Sequence, residues 1–258
     1  MGWFDMGNRP DTAPMAGLDG SAEVSRRAAA VDLAFICATI VVLHIVPRSW
    51  ICPLFSISEL ATASIISAGL DLLVAAAIAG GLLYVRRLPL AALGVRGSQS
   101  GGQVLAGLWA AFAVHAVTAS VFVVGYVLPA ISWAWANMGA PAGTTEVAHY
   151  TRQMLSQHTI GTKLVFFGVL AIEEELLFRG LLLRYLAYLT RDAWVAILVS
   201  SLVFGALHLP MSGQTALIAL WMGLVLGTFY MRQGSLLTVA VAHFLFNVSQ
   251  SAIFALWR

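Results

Sequence analysis

The sequence predicts an all-helical bundle embedded in a membrane. Of the 258 residues, 60% are hydrophobic and only 10% are charged, and the mean hydropathy is +0.86. A soluble domain typically carries about 25% charged residues. The apolar residues also fall into runs close to the length, about 17–25 residues, that an α-helix needs to cross a bilayer. The net charge of +2 says nothing about a nucleic-acid partner. The partners we expect are the lipid bilayer and a protein or peptide substrate, and no nucleic acid.

Seven apolar runs predict seven transmembrane helices, with an eighth helix as the alternative count. The fifth and sixth runs are short and are separated only by Pro210 to Gly213. Pro210 cannot continue a helix because it lacks a backbone N–H, so we expect the chain to turn there. A long connector from Pro129 to Gly161 joins the third and fourth helices. The predicted helices cover residues 29–47, 61–85, 103–128, 162–189, 193–209, 214–231 and 235–257.

The distribution of basic residues predicts the orientation of the bundle. Cytoplasmic loops of membrane proteins carry an excess of Lys and Arg. With the N-terminus inside, nine basic residues lie on the cytoplasmic side and four on the other. We therefore expect residues 1–28 to be a polar cytoplasmic tail and residues 29–258 to be one transmembrane domain in a prokaryotic cell membrane. The nine are Arg9, Arg26, Arg27, Arg86, Arg87, Arg96, Arg184, Arg191 and Arg232, and the four are Arg48, Arg152, Lys163 and Arg258.

The fourth predicted helix contains three consecutive glutamates, Glu173, Glu174 and Glu175. A charged side chain at the centre of a membrane helix costs about 2.5–3.5 kcal/mol on insertion scales, so such residues are functional candidates by default. Glu175 and Arg179 have i,i+4 spacing, which predicts an ion pair on one helix face. Glu174 points about 100° away from Glu175 around the helix and is not satisfied by that pair. We therefore expect Glu174 to take part in chemistry, and Glu173 stays unassigned.

Two further helices carry polar residues at a similar depth. From the cytoplasmic ends, Glu174 lies about 20 Å deep, His208 about 22 Å, His243 about 12 Å and Asn247 about 18 Å, at 1.5 Å per residue. These four side chains can therefore meet inside the bundle. Lone histidines in membrane helices are more often interhelical hydrogen bonders, and we interpret His115 in this way.

This set of side chains suits hydrolysis of an amide. A carboxylate and a neutral histidine can bind a water molecule and remove its proton. A second histidine and an asparagine amide can donate hydrogen bonds to a developing oxyanion. Alternatively, Glu174, His208 and His243 could be the three protein ligands of a catalytic zinc with an open position for water. The residue types fit both schemes.

The motifs resemble those of the CAAX-protease and bacteriocin-processing family of intramembrane endopeptidases, also called the Abi or CPBP family, which includes the type II Ras-converting CAAX endopeptidase. The family pattern Glu-Glu-x-x-x-Arg reads EELLFR from Glu174 to Arg179. The patterns Phe-x-x-x-His and His-x-x-x-Asn read FGALH from Phe204 to His208 and HFLFN from His243 to Asn247. The resemblance covers a protease-like core at about residues 160–258.

The resemblance implies roles for these residues. Glu174 would activate water with His208 as its partner, and His243 and Asn247 would stabilise the oxyanion. Glu175, Arg179 and Phe204 would support them. The favoured scheme needs no cofactor, whereas a metalloprotease scheme would use zinc. The implied substrate is a membrane-associated or prenyl/CAAX-like protein or peptide.

Two other classes of function compete with an intramembrane peptidase. One is a non-enzymatic immunity or scaffold protein of the same family that has kept the motifs. The other is a proton-coupled transporter with a relay of buried acids and histidines.

Gly223 and Gly227, in the sixth helix, form a small-xxx-small pair that predicts close approach to the seventh or fifth helix.

Overall fold

A computed structural model describes residues 25–45, 60–95, 100–127 and 159–256, and these residues form helices and turns without strands. Seven long helices occur there, together with a short 3₁₀ turn at Leu90–Leu93. Each predicted helix is present, and its ends differ from the predicted ones by a few residues. The helices are α1 Arg26–Ile45, α2 Leu60–Arg86, α3 Ser100–Val127, α4 from Ile160 to Thr190, α5 Ala193–Leu207, α6 Gly213–Gln233 and α7 Leu236–Leu256. Most of the predicted tail and of the long connector lies outside the described residues.

Three helices are long and apolar enough, by length and composition, to cross a membrane. They are Thr62–Arg86 in α2, Gly101–Ala119 in α3 and Gly213–Gln233 in α6. Ala193–Leu207 and Leu236–Ala252 are shorter apolar helices. The all-helical fold is thus confirmed for the described part of the chain, and three of its helices are candidate membrane spans.

The helix ends near the site follow from local sequence. Asp192 caps α5, where its Oδ1 accepts hydrogen bonds from the N–H groups of Trp194 (2.8 Å) and Val195 (3.1 Å). At the other end α5 stops at Leu207, three residues before Pro210, which has no backbone N–H with which to continue the helix. His208 is therefore the C-cap residue of α5. This turn places His208 at the end of its helix.

Helix α4 is continuous but changes its winding in the middle. It is α-helical over Ile160–Glu175, π-helical over Leu176–Leu183 and α-helical again over Arg184–Thr190. The backbone at Leu176 and Arg184 keeps right-handed helical angles, so the chain does not break there. Short π-helical turns occur frequently at functional sites. The glutamate run lies directly before this turn.

Helices α5 and α6 pack at very short distance. A Cβ atom added at Gly223 would lie 2.9 Å from Ser201 Cβ, and one at Gly227 would lie 3.2 Å from Ile197 Cγ2. The predicted close approach of this glycine pair is therefore confirmed, and its partner is the fifth helix. The contact holds α5, which carries Phe204 and His208, against α6.

Helices α3 and α7 are joined by polar contacts at two levels. Thr238 Oγ1 donates a hydrogen bond to Gln103 O at 3.1 Å. His115 Nδ1 lies 2.7 Å from Ala111 O, and His115 Nε2 lies within hydrogen-bonding distance of Ser249 Oγ. The interpretation of His115 as an interhelical hydrogen bonder is thus confirmed. These contacts fix α7, and with it His243, against a helix outside the motif region.

The first helices are tied to the end of α4 by a buried acid. Asp32 accepts two hydrogen bonds from Arg86, at 2.7 and 2.8 Å, and a third from Tyr185 Oη at 3.1 Å. The start of α1, the end of α2 and the end of α4 therefore meet on one side of the bundle.

Candidate active site

The three glutamates at the end of the first segment of α4 are all buried. Glu173 is 2% exposed, Glu174 is 4% exposed and Glu175 is 0% exposed. Burying a charge costs several kcal/mol unless it is paired and hydrogen-bonded. The contacts of these side chains therefore decide what each of them can do.

Glu175 is held by a strong ion pair. Arg179 Nη1 donates to Glu175 Oε1 at 2.8 Å, and both side chains are almost fully buried. The i,i+4 pair predicted from the sequence is confirmed. The Arg179 guanidinium also lies over the Phe204 ring, with 4.9 Å between Cζ and the ring centroid. Such a cation–π contact contributes about 2 kcal/mol when it is desolvated.

His243 reaches across from α7 and lies between two of the glutamates. Its Nδ1 is 2.8 Å from Glu175 Oε1, and its Nε2 is 3.5 Å from Glu174 Oε2. The first distance is that of a good hydrogen bond. The second is longer than the roughly 2.7–3.2 Å usual for N–H···O hydrogen bonds. Glu175 Oε1 therefore has two hydrogen-bond partners, Arg179 on α4 and His243 on α7.

His208 is oriented by its own helix. Its Nδ1 lies 2.8 Å from Phe204 O, one turn earlier. A carbonyl oxygen can only accept, so Nδ1 carries the hydrogen in this contact. When the ring is neutral, Nε2 therefore presents a lone pair. That is the form a histidine needs in order to accept a proton from water.

Phe204 is the centre of the aromatic packing around these groups. The side chain is fully buried. Its ring centroid lies 4.8 Å from those of Phe178 and His208 and 6.0 Å from that of His243, with edge-to-face geometry. One side chain of α5 thus contacts both histidines and Arg179. The resemblance implied only a supporting role for Phe204, and its contacts supply a physical basis for one.

Asn247 lies one turn after His243 on α7 and is half-buried. Because the two residues have i,i+4 spacing, the Asn247 amide lies on the same face of α7 as His243.

The structure brings Glu174, Glu175, Arg179 and His243 into one buried cluster, with Phe204 packed beside it. His208 joins the cluster through Phe204. The pairing of Glu174 with His208 stays a prediction, and Glu174 Oε2 lies 3.5 Å from His243 Nε2. Sequence reasoning did not find the bond between Glu175 and His243, because the two residues lie 68 positions apart. It also did not single out Phe178, whose only sequence signal is its position next to Arg179.

The zinc alternative requires three ligands around one point. Among the described residues, no group of three or more His, Cys, Asp or Glu side chains is placed to hold a metal ion. The metal requirement stays a prediction for a chelation experiment.

Comparison with known proteins gives one result that bears on these motifs. No curated protein and no solved structure matches the chain significantly. Residues 156–249, which contain all three motifs, match the family model described as type II CAAX prenyl endopeptidase Rce1-like. The match confirms the resemblance predicted from the motifs and supports a peptidase at the level of the family. Residues 156–249 of this chain are thus similar to the Rce1-like peptidases.

Proposed function

We propose that the protein is an intramembrane endopeptidase that hydrolyses a peptide bond of a membrane-associated protein or peptide. One observation carries the proposal: Glu174 and Glu175 share a single buried cluster with His243. The cluster lies in the segment that matches a peptidase family. A cluster of ionisable groups without a function would be a costly feature in an apolar bundle.

In the proposed reaction Glu174 is the general base. Water attacks the carbonyl carbon of the substrate amide, and its proton passes to the Glu174 carboxylate. His208, whose Nε2 presents a lone pair, is the second group that holds the water. A positioned general base contributes about 10²–10⁴-fold to the rate.

The other side of the site binds the substrate carbonyl. Asn247 can donate an amide hydrogen to the oxyanion that forms, and one well-placed donor of this kind is worth about 10²–10³-fold in rate. His243 lies one turn away on the same helix and completes this side of the site. Collapse of the intermediate breaks the C–N bond, and the leaving nitrogen takes up the proton that the attacking water gave to Glu174.

The proposed substrate class follows from the family and from the surroundings of the site. The matching family is named for prenylated CAAX substrates. Apolar helices surround the cluster, so a peptide carrying a lipid or a membrane-embedded segment would reach it from the bilayer. We propose that this chain acts on a membrane-associated or prenyl/CAAX-like protein or peptide, and that its N-terminus lies in the cytoplasm. The ends of α1, α2 and α4 that meet at Asp32 are rich in arginine, which supports this orientation.

The test is a comparison of protein termini by mass spectrometry between cells that produce the wild type and cells that produce Glu174→Gln at equal level. We expect a set of cleaved termini that is present with the wild type and absent with the variant. His208→Asn and His243→Asn should remove the same termini. Their matched control is His115→Asn, because His115 bonds to Ser249 outside the cluster. Identical termini in wild type and Glu174→Gln would contradict the proposal and favour a scaffold.

A further inference from the structure

The Glu175 carboxylate has an unusual distribution of contacts. Its Oε1 accepts from Arg179 Nη1 and lies 2.8 Å from His243 Nδ1, whereas its Oε2 has no hydrogen-bond partner in the described part of the chain. A guanidinium N–H can only donate, so Glu175 Oε1 is the acceptor in its bond with Arg179. The same oxygen is the atom that faces His243 Nδ1. The hydrogen between Glu175 and His243 therefore sits on Nδ1.

This contact decides what the other ring nitrogen of His243 can do. A neutral imidazole carries one hydrogen, so Nε2 has a lone pair when Nδ1 is protonated. Nε2 faces Glu174 Oε2 at 3.5 Å, and both atoms are acceptors in that state. His243 therefore cannot donate to an oxyanion until it has taken up a proton. The oxyanion role implied by the motif resemblance needs this additional step.

We propose that Glu175 is a positioning residue that fixes His243 in the Nδ1–H form, so that Nε2 of His243 carries the proton from the attacking water to the leaving nitrogen. The inference rests on the proposed function. The water oxygen bonds to the carbonyl carbon, its proton goes to the Glu174–His243 pair, and Nε2–H delivers it to the nitrogen as the C–N bond breaks. A carboxylate that orients a histidine base has the same effect in serine proteases.

Two neighbours hold Glu175 and His243 in this geometry. Arg179 fixes the Glu175 carboxylate from one side and is itself held over the Phe204 ring. The same ring meets the His243 imidazole edge to face, at an interplanar angle of 87°. The imidazole is thereby restrained by a hydrogen bond at Nδ1 and by an aromatic contact. Its Nε2 is left directed at Glu174.

The tautomer can be measured directly by ¹⁵N NMR of the full chain in detergent, with ¹⁵N-labelled histidine and with His243 assigned from His243→Asn. We expect the Nδ1-protonated pattern for His243 in the wild type and its replacement by the Nε2-protonated pattern in Glu175→Ala. His115 and His208 are internal controls, because carbonyl oxygens hold their Nδ1 atoms. Glu173→Gln is the matched control, since Glu173 is equally buried and lies on another helix face.

Two results would overturn the proposal: an Nε2-protonated His243 in the wild type, or an unchanged tautomer in Glu175→Ala. If Glu175→Ala does not fold, the double variant Glu175→Leu/Arg179→Met takes its place. It removes the acceptor for Nδ1 without leaving an unpaired buried charge, and the same change of tautomer is expected.

A kinetic measurement separates this proposal from the proposed function. With a peptide identified from the cleaved termini, Glu175→Ala should lower kcat by about 10²-fold or more with little change in KM, because the proton transfer is affected. If Glu175→Ala has the altered tautomer but keeps full kcat, the positioning role of Glu175 is refuted and the peptidase proposal is not. Absence of cleavage by the wild type would refute the peptidase proposal, while the tautomer result would still stand.

Discussion

Replacing Glu175 by leucine leaves Arg179 as a buried cation without its partner, and we expect this to destabilise the protein strongly. Arg179 is 1% exposed and its ion pair with Glu175 measures 2.8 Å. Removing one partner of a buried ion pair costs about 3–5 kcal/mol, because the remaining charge stays desolvated. Arg179→Met should cost a similar amount, since it leaves the Glu175 carboxylate buried.

The double variant Glu175→Leu/Arg179→Met should be much less destabilised than the sum of the two single variants. It contains no unpaired buried charge, although His243 loses its acceptor at about 1–3 kcal/mol and Phe204 loses its cation–π contact at about 2 kcal/mol. We therefore expect a coupling free energy of about 3 kcal/mol between the two positions, whereas independent sites are additive within about 0.5 kcal/mol.

The coupling can be measured from thermal or denaturant unfolding of the four proteins in one detergent. For a chain of this size about 1 kcal/mol corresponds to a shift in Tm of about 2–4 °C, so the non-additivity should reach about 6–12 °C. Thr159→Ala combined with Arg179→Met is the control pair. Thr159 caps the start of α4, about 30 Å from Arg179 at 1.5 Å per residue, and should be additive with it. Additive effects of Glu175→Leu and Arg179→Met would refute the ion-pair argument.

Three further outcomes follow from the contacts. Gly223→Ala should lower Tm, because its Cβ would lie 2.9 Å from Ser201, whereas Gly69→Ala, with no atom within 4 Å, should keep or raise it. Asp32→Asn should reduce the free energy of unfolding by about 1.5–3 kcal/mol, the value of hydrogen bonds to a charged group, because it weakens the bonds from Arg86, and kcat should be unchanged. Under the metal-free scheme a zinc chelator should leave peptidase activity intact; loss on chelation with recovery on adding zinc would require the metalloprotease scheme.

Local spacing was enough to predict several features of the site. The apolar runs predicted all seven helices, because helix length in a bilayer is set by its thickness. The Glu175–Arg179 pair was predicted from i,i+4 spacing, which brings side chains together within one helix. The motifs that contain Glu174, His208 and His243 were sufficient to predict the family match, since three ordered motifs on separate helices rarely coincide by chance.

Other features depended on which helices pack together. The π-helical turn after Glu175 has no signal in the apolar run from which the helix was predicted. Asp32 has no basic residue three or four positions away in the first helix, yet it pairs with Arg86, 54 positions later. Such contacts between distant residues depend on the relative rotation of the helices, which hydrophobicity hardly specifies when nearly every helix face is apolar.

The sequence by itself determined the helical bundle, the peptidase-like motifs and the division of the glutamate run into Glu175, which pairs with Arg179, and Glu174, which does not. Only the tertiary structure decided that His243 lies between these two carboxylates. The physical reason is that a motif specifies spacing along one helix, whereas the contact of α4 with α7 depends on packing across the bundle. That packing determines which ring nitrogen of His243 carries its hydrogen, and through it the role we propose for this histidine.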